Sequence, residues 1–143
     1  MGMITDFVIA DVGSGMELGQ DINPGLACPT IQTKGVDNIK LATLSCSISG
    51  VDYSDVLQSS FKLVGGDEDD GPWVYELPSE FLQSLASIDK SQLGLIAKRW
   101  LLTEELQMDR WSLDDANHCI TELSVHANKA IQSGKSMYLW MAM

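Results

Sequence analysis

The sequence predicts an α+β domain, in which a small mixed sheet of about three or four strands is packed by four to five helices. Runs of β-branched and aromatic residues near Asp6 and Trp73 predict two of the strands. The run Met137–Met141 is apolar at every position, which predicts a third strand covered on both faces. Elsewhere apolar residues recur every three or four positions, which is the helical period. We therefore expect one domain over residues 1–143, with a long C-terminal helix followed by a buried, central strand.

The elements can be placed from their apolar patterns and flanking glycines and prolines. The predicted order is a strand at Asp6–Val12, helices at Asp37–Gly50 and Asp52–Phe61, a strand at Trp73–Leu77, helices at Ser79–Ile88, Asp89–Leu101 and Ser112–Ser133, and a strand at Met137–Met141. Asp89 with Gln92, and Ser112 with Asp115, have the spacing of capping boxes at helix starts. The last helix should end at Gly134.

The segment Gly13–Gly35 has no clear period and contains Pro24 and Pro29. Ordered loops of this length are uncommon and often carry function. The segment is therefore either a functional loop or the place of an element that the pattern does not reveal.

Charge and cysteine usage limit the classes of function. Twenty Asp and Glu residues against nine Lys and Arg give a net charge of −11, which repels nucleic acids and favours basic partners. Cys28, Cys46 and Cys119 are odd in number and widely spaced, which predicts reduced thiols rather than disulfides or a zinc ribbon. No targeting or membrane-spanning segment is recognised, so we expect a cytoplasmic protein without membrane contact.

The acidic run Asp67, Glu68, Asp69 and Asp70, followed by Trp73, is the candidate interaction surface. The run lacks the alternating acids and the terminal Glu of a calcium loop. Exposed carboxylates beside an aromatic residue suit recognition of Lys and Arg on a partner. The alternative interpretation is a solvated turn with Trp73 buried.

A second candidate is the trio His118, Glu122 and His126, spaced at intervals of four on one helix. Neighbouring turns can share a metal ion. The predicted apolar stripe of this helix, however, places His118 and Glu122 on the opposite, solvated side. The stripe consists of Leu113, Ala116, Ile120, Leu123, Ala127, Ala130 and Ile131. We therefore predict no metal site, no cofactor and no catalytic residue in this chain.

Several stretches resemble a family of uncharacterised bacterial proteins. They are DFVIADV, KGVDNIKLATL, GPWVYELP, WLLTEELQMDRW and GKSMYLWMAM, which together span most of the chain. The resemblance implies a bacterial cytoplasmic single domain, and it brings no functional residues with it.

The sequence thus favours a non-enzymatic protein-interaction domain, of the inhibitor or immunity type, that binds a basic partner. The alternative is a small enzyme or ligand-binding domain whose pocket is formed by residues 13–35. The first hypothesis depends on the charge balance, and the second depends on the long segment.

Overall fold

Five antiparallel strands form the sheet in the computed structural model, which describes residues 3–20, 24–50, 61 and 63–143. The strands are β1 (Ile4–Ala10), β2 (Thr30–Gln32), β3 (Leu63–Gly66), β4 (Trp73–Glu76) and β5 (Ser136–Ala142). Their order in the sheet is β2-β1-β5-β4-β3. The prediction of a central C-terminal strand is confirmed. The predicted strand number is too low, and the sheet is antiparallel rather than mixed.

The described residues form six α-helices, one more than the upper number predicted. They are α1 (Gly15–Gly19), α2 (Asn38–Ser49), α3 (Ser79–Ala86), α4 (Lys90–Leu101), α5 (Glu104–Met108) and α6 (Leu113–Gln132). A short 3-10 helix covers Pro24–Leu26. The helix predicted at Asp52–Phe61 falls on residues 51–60, outside the described part of the chain.

The helix ends follow the signals in the sequence. Asp37 caps α2 by accepting a hydrogen bond from the Lys40 amide at 2.8 Å, and Gly50 ends that helix with a φ of 78°. Both predicted capping boxes are present, at the starts of α4 and α6. These local hydrogen bonds explain why the three helices were placed almost correctly from sequence alone.

The larger core lies on one face of the sheet. Phe7, Ile9, Leu139 and Met141 point towards helices α2 to α6 and are almost completely buried. The α6 helix packs along α3 and α4 and is followed directly by β5. Because β5 lies between β1 and β4, its alternate side chains are buried on both faces of the sheet.

The second face of the sheet is covered by the segment that the pattern left unassigned. Val8, Val74, Tyr138 and Trp140 form a smaller core there with Leu18 of α1. The Tyr138 hydroxyl donates to the Asp11 carbonyl at 2.8 Å, and the Trp140 indole donates to the Leu18 carbonyl at 3.1 Å. The described part of residues 13–35 thus contains α1, a 3-10 helix and β2, and its Leu18 and Cys28 contribute to the smaller core.

Helix α1 and strand β3 approach each other backbone to backbone. A Cβ atom added to Gly65 would overlap the Gly15 carbonyl, and one added to Gly19 would overlap the Gly66 amide nitrogen. Only glycine permits this separation. The contact places α1 beside the hairpin that carries the acidic run.

Candidate interaction surface

The acidic run forms the tip of the hairpin that joins β3 to β4. Gly66 and Gly71 flank the tip with φ values of 86° and 74°, a region that favours glycine. The Gly71 amide donates to the Asp67 carbonyl at 2.8 Å, and the Asp67 amide donates to the Pro72 carbonyl at 3.2 Å. The peptide bond between Gly71 and Pro72 is cis. The tip therefore has a defined backbone conformation.

Two side chains hold this conformation in place. The Asp67 carboxylate accepts a hydrogen bond from the Asp69 amide at 2.9 Å, which is an Asx turn. The Trp73 indole lies against Gly71, where an added Cβ would come within 2.8 Å of the ring, and its N–H donates to the Glu68 carbonyl at 2.9 Å. Trp73 is half-buried and packs against the larger core. Trp73 therefore connects the hairpin tip to the larger core.

The side chains of Asp67, Glu68, Asp69 and Asp70 are exposed. None of the ion pairs found among the described residues involves them. The carboxylate of Glu68 also acts on Tyr75 of β4. Burial raises the pKa of Tyr75 above its usual 10, and the nearby carboxylates of Glu68 and Asp37 raise it further.

His118, Glu122 and His126 of α6 do not share one environment: the first two lie in solvent and the third is buried. The His118 Nε2 atom lies 3.1 Å from the Glu122 carboxylate on the solvent side, where the His118 side chain is 75% exposed. His126 is 4% exposed, and its Nε2 donates to the Phe7 carbonyl at 2.9 Å. Within the part of the chain that the structure describes, no cluster of three or more His, Cys, Asp or Glu side chains is arranged to hold a metal ion.

The buried face of α6 differs from the predicted stripe. Leu113 and Ile131, which were assigned to the core, are 36% and 42% exposed, whereas Cys119 and His126 are buried. The buried face of α6 is thus rotated from the predicted stripe towards Cys119 and His126. The rotation lets a polar side chain satisfy a strand carbonyl, and hydrophobicity alone does not predict such a contact.

Burial shifts the pKa of two further groups, His126 and Asp6. Burial lowers the pKa of His126 below 6.5, and Lys129 lowers it further, against the opposing effect of the Phe7 hydrogen bond. Burial raises the pKa of Asp6 above 3.8, and the Gln32 side chain lowers it in part. The Asp6 Oδ1 atom is buried without a hydrogen-bond partner among the described residues.

The segment 13–35 borders two depressions on the surface. One, of about 440 Å³, runs from Met16 and Gln20 of the α1 region to Gly66 and Asp67 of the hairpin. The other, of about 260 Å³, lies between Gln32–Lys34 and the start of α6. The sequence did not predict the second depression, because it forms between segments about 80 residues apart.

The chain matches no protein-family model, no curated protein and no solved structure. None of the helices in the described residues is both long enough and apolar enough to cross a membrane.

Proposed function

We propose that this protein is a non-enzymatic cytoplasmic interaction domain that binds a basic protein through Asp67, Glu68, Asp69 and Asp70. The observation that carries the proposal is a hairpin tip with a defined conformation that presents four exposed carboxylates. A preformed surface loses little conformational entropy when a partner binds. The net charge of −11 would also attract a basic partner over distances of about a Debye length.

Trp73 has a supporting role in this proposal. Its ring is packed against Gly71 and the core, and its N–H is bonded to Glu68. The indole therefore holds the backbone that carries the carboxylates, and its exposed part adds an apolar area next to them. Aromatic area beside charged groups is common at protein interfaces.

The thiol of Cys119 is consistent with a non-enzymatic role. Burial and the nearby Glu122 carboxylate raise the pKa of Cys119 to about 12, so this thiol is neutral at pH 7. A neutral thiol is a poor nucleophile and a poor metal ligand.

Capture from a lysate of the source organism tests the proposal. The tagged protein would be incubated at low salt, and bound proteins would be identified by mass spectrometry. We expect the wild-type protein to retain a basic protein that high salt releases, since salt screens exposed charges. A variant with Glu68→Gln, Asp69→Asn and Asp70→Asn should lose that protein; Asp67 is kept because it stabilises the turn.

A matched control separates the hairpin from net charge. Glu80, Glu104 and Asp114 are exposed acids on other elements, and replacing them with amides changes the net charge by the same amount. This control variant should retain the basic protein. Equal retention by both variants, or a complex that persists at high salt, would contradict the proposal.

A further inference from the structure

A cleft of about 260 Å³ lies between the first two turns of α6 and the chain that follows β2. It is separate from the hairpin, so an inference about it does not depend on the proposed function. Trp111 lines this cleft, and its side chain is only 7% exposed. The Trp111 ring packs edge-on against Trp100, with 5.3 Å between ring centroids. This packing makes part of the cleft wall rigid and apolar.

The indole N–H of Trp111 differs from those of the other tryptophans. Trp73, Trp100 and Trp140 each donate a hydrogen bond to a main-chain carbonyl. The Trp111 N–H donates to none of the residues that the structure describes. Its nitrogen is not among the buried unpaired atoms of the described residues, so it is open to solvent and can donate to a ligand oxygen in the cleft.

Charged groups of opposite sign lie at different positions along the cleft. The Lys34 ammonium is 3.6 Å from the Asp115 carboxylate, which also accepts from the Ser112 amide as part of the helix cap. Glu122, two turns further along α6, pairs with His118 at 3.1 Å. An ammonium has three donors and a carboxylate about four acceptor positions. Lys34 and Glu122 therefore both keep hydrogen-bonding capacity for a ligand.

Cys119 lies between these groups and gives the centre of the cleft a neutral lining. Its thiol is buried, with its pKa raised to about 12, so it is suited to packing against a ligand rather than to bonding with it. The volume is below the usual range of sites for drug-sized ligands. The cleft therefore suits a small molecule that carries a charge at each end.

We propose that this cleft binds a zwitterionic amino compound of amino-acid size. Its ammonium group pairs with Glu122, and its carboxylate accepts from Lys34 and from the Trp111 indole N–H. A simple amine would leave the donors of Lys34 and Trp111 unused. A simple carboxylate would leave Glu122 without a cation and would be repelled by the acidic protein as a whole.

The indole signals in a proton–nitrogen NMR spectrum provide the test. The protein has four tryptophans, and the Trp111 signal can be assigned by its loss in Trp111→Phe. The probes are ω-amino acids of increasing chain length, in which several carbon atoms separate the ammonium and the carboxylate, added one at a time to the full-length protein at millimolar concentration. We expect at least one to shift the Trp111 signal saturably, while the signals of Trp73 and Trp140 stay in place.

Variants of the protein and analogues of the ligand test whether Lys34 and Glu122 bind its two charged groups. Lys34→Met and Glu122→Gln are both at solvent-accessible positions. Each should weaken the binding of that amino acid by about tenfold or more. The control variants Lys98→Met and Glu80→Gln should bind as the wild type does. The N-acetylated form and the decarboxylated amine of the same amino acid should also bind weakly, because each lacks one charge. No shift with any amino acid, or equal binding by these analogues, would overturn the proposal.

Discussion

The indole nitrogen of Trp73 lies 2.9 Å from the main-chain carbonyl oxygen of Glu68 and donates a hydrogen bond to it across the hairpin tip. Because Trp73 also packs against the larger core, this bond couples the exposed acidic residues to the interior. The backbone that carries the carboxylates is thereby held in one conformation. The structure around the proposed surface can be tested by substitutions in the tip, at the contact between the hairpin and α1, and in the sheet.

Trp73→Phe should loosen the tip while keeping most of the apolar packing. The variant loses the indole N–H, and we expect the free energy of unfolding to fall by about 1 kcal/mol. Hydrogen exchange of the Asp69 and Gly71 amides should become faster, since both amides bond within the tip. Unchanged exchange at these two amides would show that the indole does not hold the tip.

Gly65→Ala should separate β3 from α1. The new methyl group would overlap the Gly15 carbonyl, and we expect a loss of about 2 kcal/mol, as for overpacking elsewhere. Gly94→Ala is the control, because it lies within α4 and its added Cβ meets no atom within 4 Å. That change should raise stability by about 0.5–1 kcal/mol. Urea unfolding of both variants measures the difference, and a tolerated Gly65→Ala would contradict the close backbone contact.

His126 should make the protein less stable in mild acid. Its pKa is lower in the folded protein than the 6.5 of an unfolded chain, so the unfolded state binds more protons as the pH falls below about 6.5. The stabilising effect of the neutral ring is therefore present above this pH and is lost below it. Urea unfolding at pH 7.5 and 5.5 should show a decrease for the wild type and a smaller one for His126→Gln. An equal decrease in both proteins would exclude His126 as the cause.

Asp6 should have the opposite pH dependence. Its pKa is raised in the folded protein, so its contribution to stability is present below about pH 3.8 and is lost as the pH rises through the folded pKa. Asp6→Asn keeps the shape and removes the charge, and we expect the variant to be more stable than the wild type at pH 7. The advantage should shrink towards pH 4. A variant less stable than the wild type at pH 7 would indicate that the carboxylate has a favourable ionic contact.

The sequence predicted the parts of the fold that depend on neighbouring residues. The capping boxes at Asp89 and Ser112 and the left-handed Gly50 are determined by side chains within a few positions of the helix ends, and all three are present. The apolar strand β5 was recognised because burial on both faces requires apolar side chains at successive positions. The acidic run was recognised as exposed from its four successive acids between glycines.

The elements that were missed depend on distant contacts. Gly65 and Gly66 weaken the strand signal of β3. Gly65 is needed because α1 approaches too closely for a side chain, and Gly66 because an added Cβ would overlap the Pro72 carbonyl. Strand β2 has three residues, and its pairing with β1 gives it its structure. His126 was grouped with His118 by spacing, but the Phe7 carbonyl that binds it lies 119 positions away.

The most direct test of the central claim is the affinity of the captured basic protein for the two charge variants, measured by calorimetry at low salt. Replacement of Glu68, Asp69 and Asp70 should weaken binding by about tenfold or more, because each lost charge removes a contact at the interface. Replacement of Glu80, Glu104 and Asp114 should leave the affinity within about twofold of wild type. Equal affinities for the two variants would contradict a binding surface at the hairpin tip.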